Sequence, residues 1–174
     1  MHYSVGVEYG LHCLLYLIDQ PEDSPIGIKE LSAFQGVSET YLSKMFGKLA
    51  KAGIVSSVPG VKGGYRLAKS PDEITFWDVV AAIEGTRPIF QCKNIKDQCV
   101  LYKDEKYAGC SLSFCTINLT MLEAEEKMRE YLRGKTLAWL SKELAHVLPE
   151  PIRQATRAYF AGKNTPHHDG SGGI

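Results

Sequence analysis

Apolar and polar positions first organise the start of the chain into a series of helices. Between residues 4 and 19, Val7, Leu11, Leu15 and Ile18 recur every three or four residues, the spacing of one helical face. Cys13 falls inside this apolar segment and reads as a small core residue rather than a ligand. A turn-rich stretch containing Pro21, Asp23, Ser24, Pro25 and Gly27 leads to a short helix over 28–35, ended by Gly36. Ser38 stands at the N-cap of a third helix over 39–52, with Glu39 at its positive end and Gly53 stopping it. Leu42, Met45, Phe46 and Leu49 share one face of that helix, and Lys44, Lys48 and Lys51 another. Two short helices around a tight glycine turn, the second basic on its outer side, form the helix-turn-helix layout.

Beyond it the period changes. The β-branched run 54–58, the glycine-rich stretch 59–64 and the segment 65–68 predict a hairpin, which in this position is a wing. Its glycines would let backbone approach a phosphate or a groove closely. Residues 70–72 predict a turn, and 75–84 a fourth helix with Phe76, Val79, Val80 and Ile83 inward and Gly85 as its cap. From 87 to 114 no period is sustained. A long helix follows over 116–133, where Ile117, Met121, Ala124, Met128 and Tyr131 repeat at 4-3-4-3, a seam of the coiled-coil kind. A second copy of the chain is the economical partner for that seam, and packing against its own domain is the alternative. Residues 136–144 predict a last short helix. The tail after about 161, with His167 and His168, reads as disordered and its histidines as incidental.

Charge sharpens this picture. The 174 residues carry 20 basic and 20 acidic side chains, so no global basic character points to nucleic acid. The distribution does. From 40 to 71 there are five lysines and Arg66 with no carboxylate, whereas residues 1–39 carry Lys29 alone against Asp19, Asp23 and four glutamates. A basic stripe on a neutral chain suits a surface that meets phosphate. The candidate DNA contacts are Ser38, Thr40, Tyr41, Lys44, Lys48, Lys62, Gly63, Gly64 and Arg66. No secretory signal or membrane span is evident, which places the chain in the cytoplasm, where structural disulfides are rare. Nothing resembles paired catalytic carboxylates, a nucleophile with its base or a phosphate loop, so an enzyme is not expected.

Four of the five cysteines, Cys92, Cys99, Cys110 and Cys115, lie in or beside the aperiodic stretch, separated by six, ten and four residues. Thiolates grouped on an irregular loop suit an iron–sulfur cluster, because a loop can wrap it without breaking helix or sheet hydrogen bonds. The competing readings are zinc, which favours tighter cysteine pairs, a thiol switch working by oxidation, and no ligand-binding role at all.

Five segments carry a family resemblance: Val7-Glu8-Tyr9-Gly10-Leu11-His12, Val37-Ser38-Glu39-Thr40-Tyr41-Leu42, Leu49-Ala50-Lys51-Ala52-Gly53-Ile54-Val55, Gly63-Gly64-Tyr65-Arg66-Leu67-Ala68 and Ile74-Thr75-Phe76-Trp77-Asp78-Val79-Val80. In this order they resemble the Rrf-type repressors, a family that includes regulators called IscR, NsrR, CymR and RsrR. The likeness runs from residue 1 to about 145. It implies a mainly α fold: a winged helix-turn-helix over 1–85, a cysteine loop over 86–115, a dimerisation helix and short terminal helix over 116–145, and an extension over 146–174 ending in a partly disordered tail. It further implies a homodimeric repressor acting on palindromic DNA and, in some members, an iron–sulfur cluster held by three cysteines. Glu8 and the run 85–92 look nearest to the RsrR-like branch, in which the cluster is of the 2Fe-2S type and a carboxylate of the first helix is a ligand. Cys92 and Cys115 match the first and last family cysteines. The chain departs from the pattern by an insertion around 103–107 and by its fourth cysteine. It also has Asn118 and Gln35 where branches of the family have histidines. The middle ligand is therefore Cys99 or Cys110, and the last is Glu8 of a partner chain or the remaining cysteine. The alternative is a cluster-free regulator of the same fold, controlled by thiol oxidation, a small molecule or a partner protein.

Overall fold

The computed structural model describes residues 3–18, 20–21, 24–60, 63–95, 99–100, 104 and 115–162. Among them the chain forms α1 (Val5–Ile18), α2 (Ile28–Gln35), α3 (Glu39–Lys51), β1 (Val55–Val58), β2 (Gly64–Leu67), α4 (Phe76–Glu84), α5 (Thr116–Arg133), α6 (Leu137–Val147) and α7 (Glu150–Phe160). The fold is mainly α, with a two-stranded antiparallel wing pairing Val55 with Leu67 and Val58 with Gly64. None of the described helices is long and apolar enough to cross a membrane.

Local chemistry accounts for most boundaries. Gly36 ends α2 in the left-handed region at φ 66°, which a side chain rarely adopts. Thr75 caps α4 by accepting from the Asp78 N–H at 3.1 Å, while the Asp78 carboxylate accepts from the Thr75 N–H at 2.8 Å. Ser38 occupies the N-cap position of α3, but its side chain makes no cap hydrogen bond. The predicted turn at 70–72 is a short 3-10 helix, Pro71–Glu73, closed by a capping box between Ser70 and Glu73.

The core lies among α1, α3 and α4. Leu42, Met45, Phe46 and Leu49 of α3 are buried as their spacing predicts, with Leu14, Leu17, Val79, Val80 and Ile83 around them. Two expectations change. The face of α1 assigned to Val7, Leu11, Leu15 and Ile18 is displaced toward Gly6, Val7, Gly10, Cys13, Leu14 and Leu17. The reason is that α1 is central: α3, α4, α6, α7 and β2 all pack on it, which needs a wider apolar surface than one stripe. Phe76, expected inside, is half-buried in the first turn of α4 and meets the Trp139 ring edge-on at 6.1 Å.

The extension over 146–174 contains a helix that the sequence reading left out. In α7, Phe160 stacks on Tyr16 at 5.1 Å and meets Phe34 at 4.8 Å, with Tyr159 also against Phe34 at 4.8 Å. Ordering here comes from aromatic packing on α1 and α2. The tail that begins at 163, with its two histidines, lies outside the described residues.

Candidate nucleic-acid interface and cysteine loop

Helix α3 presents Thr40, Tyr41, Lys44, Lys48 and Lys51 on its exposed side, with Ser38 exposed just before it. Tyr41 is anchored at its ring, edge-on to Tyr9 at 6.0 Å. Lys48 has a second attachment: its Nζ donates to the Ile83 carbonyl at 2.5 Å, at the negative end of α4. Lys44 and Lys48 therefore differ although they sit one turn apart. Arg66 stands exposed on β2, with its Nε donating to Ser56 Oγ at 3.3 Å. Lys62 lies outside the described residues.

Gly63 and Gly64 have a reason internal to the fold. A Cβ on Gly63 would lie 2.3 Å from the Val58 carbonyl oxygen, and one on Gly64 would lie 2.4 Å from that of Ile26. The segment before α2 pairs with the wing here: the Ile26 N–H donates to Tyr65 O at 3.0 Å and the Tyr65 N–H to Ile26 O at 2.8 Å. Gly64 admits the wing against its own domain, and Gly63 lets the hairpin tip close on the end of β1.

In the cysteine stretch, Cys92, Cys99 and Cys115 are half-buried free thiols, with Cys115 directly preceding α5. Cys110 lies outside the described residues. The Asn94 N–H points to Cys92 Sγ at 3.4 Å, from a residue at φ 49°. Cysteine sulfurs in and beside a stretch without regular helix or strand, one of them accepting a backbone N–H, form a donor set that fits a thiolate-held cluster in its chemistry. Among the described residues no three histidine, cysteine or acidic side chains converge within one chain. Glu8 is exposed on α1, where with His12, Leu11, Val7, Tyr3 and Leu140 it lines a cleft of about 480 Å³ between α1 and α6. Cys13 is fully buried, and desolvation pushes its thiol up to about 12.

Helix α5 carries a group that the sequence reading missed. Its 4-3-4-3 seam faces outward, with Ile117, Met121, Ala124 and Tyr131 exposed and Met128 half-buried. The flank beside it, with Asn118, Leu122 and Arg129, holds Glu125, which is 8% exposed and is the one buried charged side chain among the described residues. The Ile89 N–H donates to Glu125 Oε2 at 2.9 Å. Arg129 pairs with Glu125, and its Nη2 donates to the Thr86 carbonyl at 3.2 Å. The guanidinium also lies 4.8 Å above the Trp77 ring, with Arg133 at 5.8 Å. The available signal was a Glu–Arg pair at i, i+4, which ordinarily marks a solvated helix face.

Comparison with known proteins places this arrangement. The family described as Rrf2, iron-dependent transcriptional regulator, matches residues 3–143. A regulator named NsrR from Shouchella clausii is 34% identical over 139 aligned residues, covering 74% of this chain and 93% of the relative. The solved structure of CymR, the global cysteine regulator of B. subtilis, superposes with a TM-score of 0.60 at 26% identity, over 82% of this chain and 98% of that one. That of T. potens IscR superposes with a TM-score of 0.62 at 24% identity, over 88% of this chain and 96% of that one, and so bears on the fold alone.

Proposed function

The chain belongs to the Rrf2 family of DNA-binding transcription regulators, and from that premise we propose that it is a homodimeric repressor whose operator affinity follows the state of its cysteine loop. One observation carries the DNA part: α3 buries its apolar side and turns outward a surface of cations and hydroxyls, beside a wing seated on the same domain. Residues 1–85 would dock on DNA, with the start of α3 in the major groove and half-sites ~34 Å apart. Ser38, Thr40, Tyr41, Lys44, Lys62 and Arg66 are the contacts, with Gly63 and Gly64 shaping the wing and Lys48 shared between α4 and phosphate. Residues 116–145 would dimerise, since the outward seam of α5 suits a second copy.

For the loop, 86–115, the donor chemistry supports an iron–sulfur cluster, probed first as 2Fe-2S. Cys92 and Cys115 would hold it at the two ends, with Cys99 or Cys110 between and either Glu8 of the partner chain or the other cysteine completing the set. The cluster would supply sensitivity to redox, iron–sulfur or nitrosative conditions. The chain's own residues would position it and pass its state to the helices.

The test is purification without oxygen, followed by visible spectroscopy, iron and sulfide analysis and operator binding. Coloured, iron-bearing protein is expected, and Cys92→Ser or Cys115→Ser should give colourless dimers. Colourless wild-type protein whose DNA affinity still responds to oxidant would replace the cluster by a thiol switch. Glu8→Ala with unchanged spectrum and iron content would remove Glu8 from the set.

A further inference from the structure

Burying a carboxylate is costly unless it is paired and hydrogen-bonded, and a buried ion pair is seldom more stabilising than apolar packing of similar volume. Glu125 and Arg129 therefore call for an explanation other than stability. Their partners supply one. The first part of the cysteine loop is gripped through two main-chain groups, the Ile89 N–H on Glu125 and the Thr86 carbonyl on Arg129. Cys92 lies three residues beyond Ile89. On its other side the guanidinium covers Trp77, in the first turn of α4. At the far end of α4 the Ile83 carbonyl accepts from Lys48 of α3. A continuous set of contacts thus runs from the cysteine loop through α5 and the rigid length of α4 to the helix proposed to read DNA. The set is not saturated: the Arg129 Nε is buried with no partner, so the guanidinium has a donor to spare for a rearranged loop.

We propose that Glu125 and Arg129 are positioning residues that transmit the state of the cysteine loop to α3, with Ile89 as the loop-side contact and Lys48 as the output. This rests on the reading that the loop governs DNA affinity. A loop displaced at Cys92 pulls or releases the Ile89 amide, Glu125 and Arg129 follow, and Trp77 moves α4 against α3.

The experiment measures binding of the full-length dimer to a duplex selected from a random-sequence pool, before and after alkylation with iodoacetamide. The reagent replaces the thiol proton by a carbamoylmethyl group, with iodide and a proton leaving, and the buried Cys13 is sheltered from it. Wild type should lose about tenfold in affinity on alkylation, within the usual range of coupling between sites. Glu125→Gln should lose less than about twofold while its unmodified affinity stays within about threefold of wild type. Ile89→Pro, at an exposed position, removes the loop-side donor without touching the buried pair and should behave alike, which keeps the test valid if the buried change unfolds the protein. In a Trp139→Phe background, where Trp77 is the only tryptophan, alkylation should change its emission in the parent and not in either variant. Variants that respond to alkylation as fully as wild type would overturn the relay and leave the loop's role standing. Wild type with no response would overturn the loop's role, and the relay with it.

Discussion

Helices α3 and α5 are both amphipathic, and they are built in opposite senses. In α3 the apolar stripe of Leu42, Met45, Phe46 and Leu49 faces the core and lysines face outward. In α5 the apolar stripe faces outward, with Ile117 69% and Tyr131 66% exposed, and a carboxylate is the residue buried. The first helix satisfies its apolar surface within one chain. The second leaves that surface exposed and keeps a charged grip for its own domain. An amphipathic pattern alone does not say toward what a stripe is directed, and these two helices give different answers within one small protein.

The contrast can be broken at its strongest point first. Phe46 is fully buried beneath Tyr65 at 4.9 Å, so Phe46→Ala should cost about 3–5 kcal/mol in denaturant unfolding. Met121→Glu should act in the reverse way. It should leave monomer unfolding within about 0.5 kcal/mol, as for a surface change, but dissociate the dimer at micromolar concentration in sedimentation, because it buries a charge at the seam. If this variant sediments as wild type does, α5 does not dimerise through its outward stripe. Lys44→Ala sharpens the comparison on the DNA side. It should weaken binding evenly across sequences and lower the salt slope by ~1, as expected for one lost phosphate contact. Lys48→Ala should also loosen α3 from α4, and so differ from Lys44→Ala in thermal stability.

The smallest effect concerns Cys13. Its thiol is raised from 9.0 to about 12 by desolvation, so the neutral form is favoured in the fold. The stabilisation is fully present below pH 9 and declines as pH rises from 9 toward 12, because the unfolded chain ionises first. By pH 9.5 the loss should be roughly 0.8 kcal/mol or less, and Cys13→Ala should remove that part of the alkaline slope in unfolding curves. The same residue should resist alkylation in the native protein.

Much of the fold was legible in the residues. Helix α2 and helix α5 have the boundaries that their periodicity and flanking residues predict, since capping glycines and the 3.6-residue period act locally. The buried face of α3 and the wing followed for the same reason. Helix α7 was passed over because its ordering depends on Phe160 and Tyr159 meeting Tyr16 and Phe34, partners more than a hundred residues away. The site divides likewise. The exposed lysines and the cysteine spacing could be read directly, whereas the attachment of Lys48 to Ile83 and the crowding at Gly64 could not.

The sequence by itself determined the helices α1 to α6, where the basic stripe lies and which family the ordered motifs resemble, because each is written in neighbouring residues or their spacing. Only the tertiary structure decided that the Glu125–Arg129 pair lies inside rather than in solvent. An i, i+4 ion pair has the same local form in either setting, and its burial depends on Trp77 and the 86–89 segment, which pack against it from elsewhere in the chain.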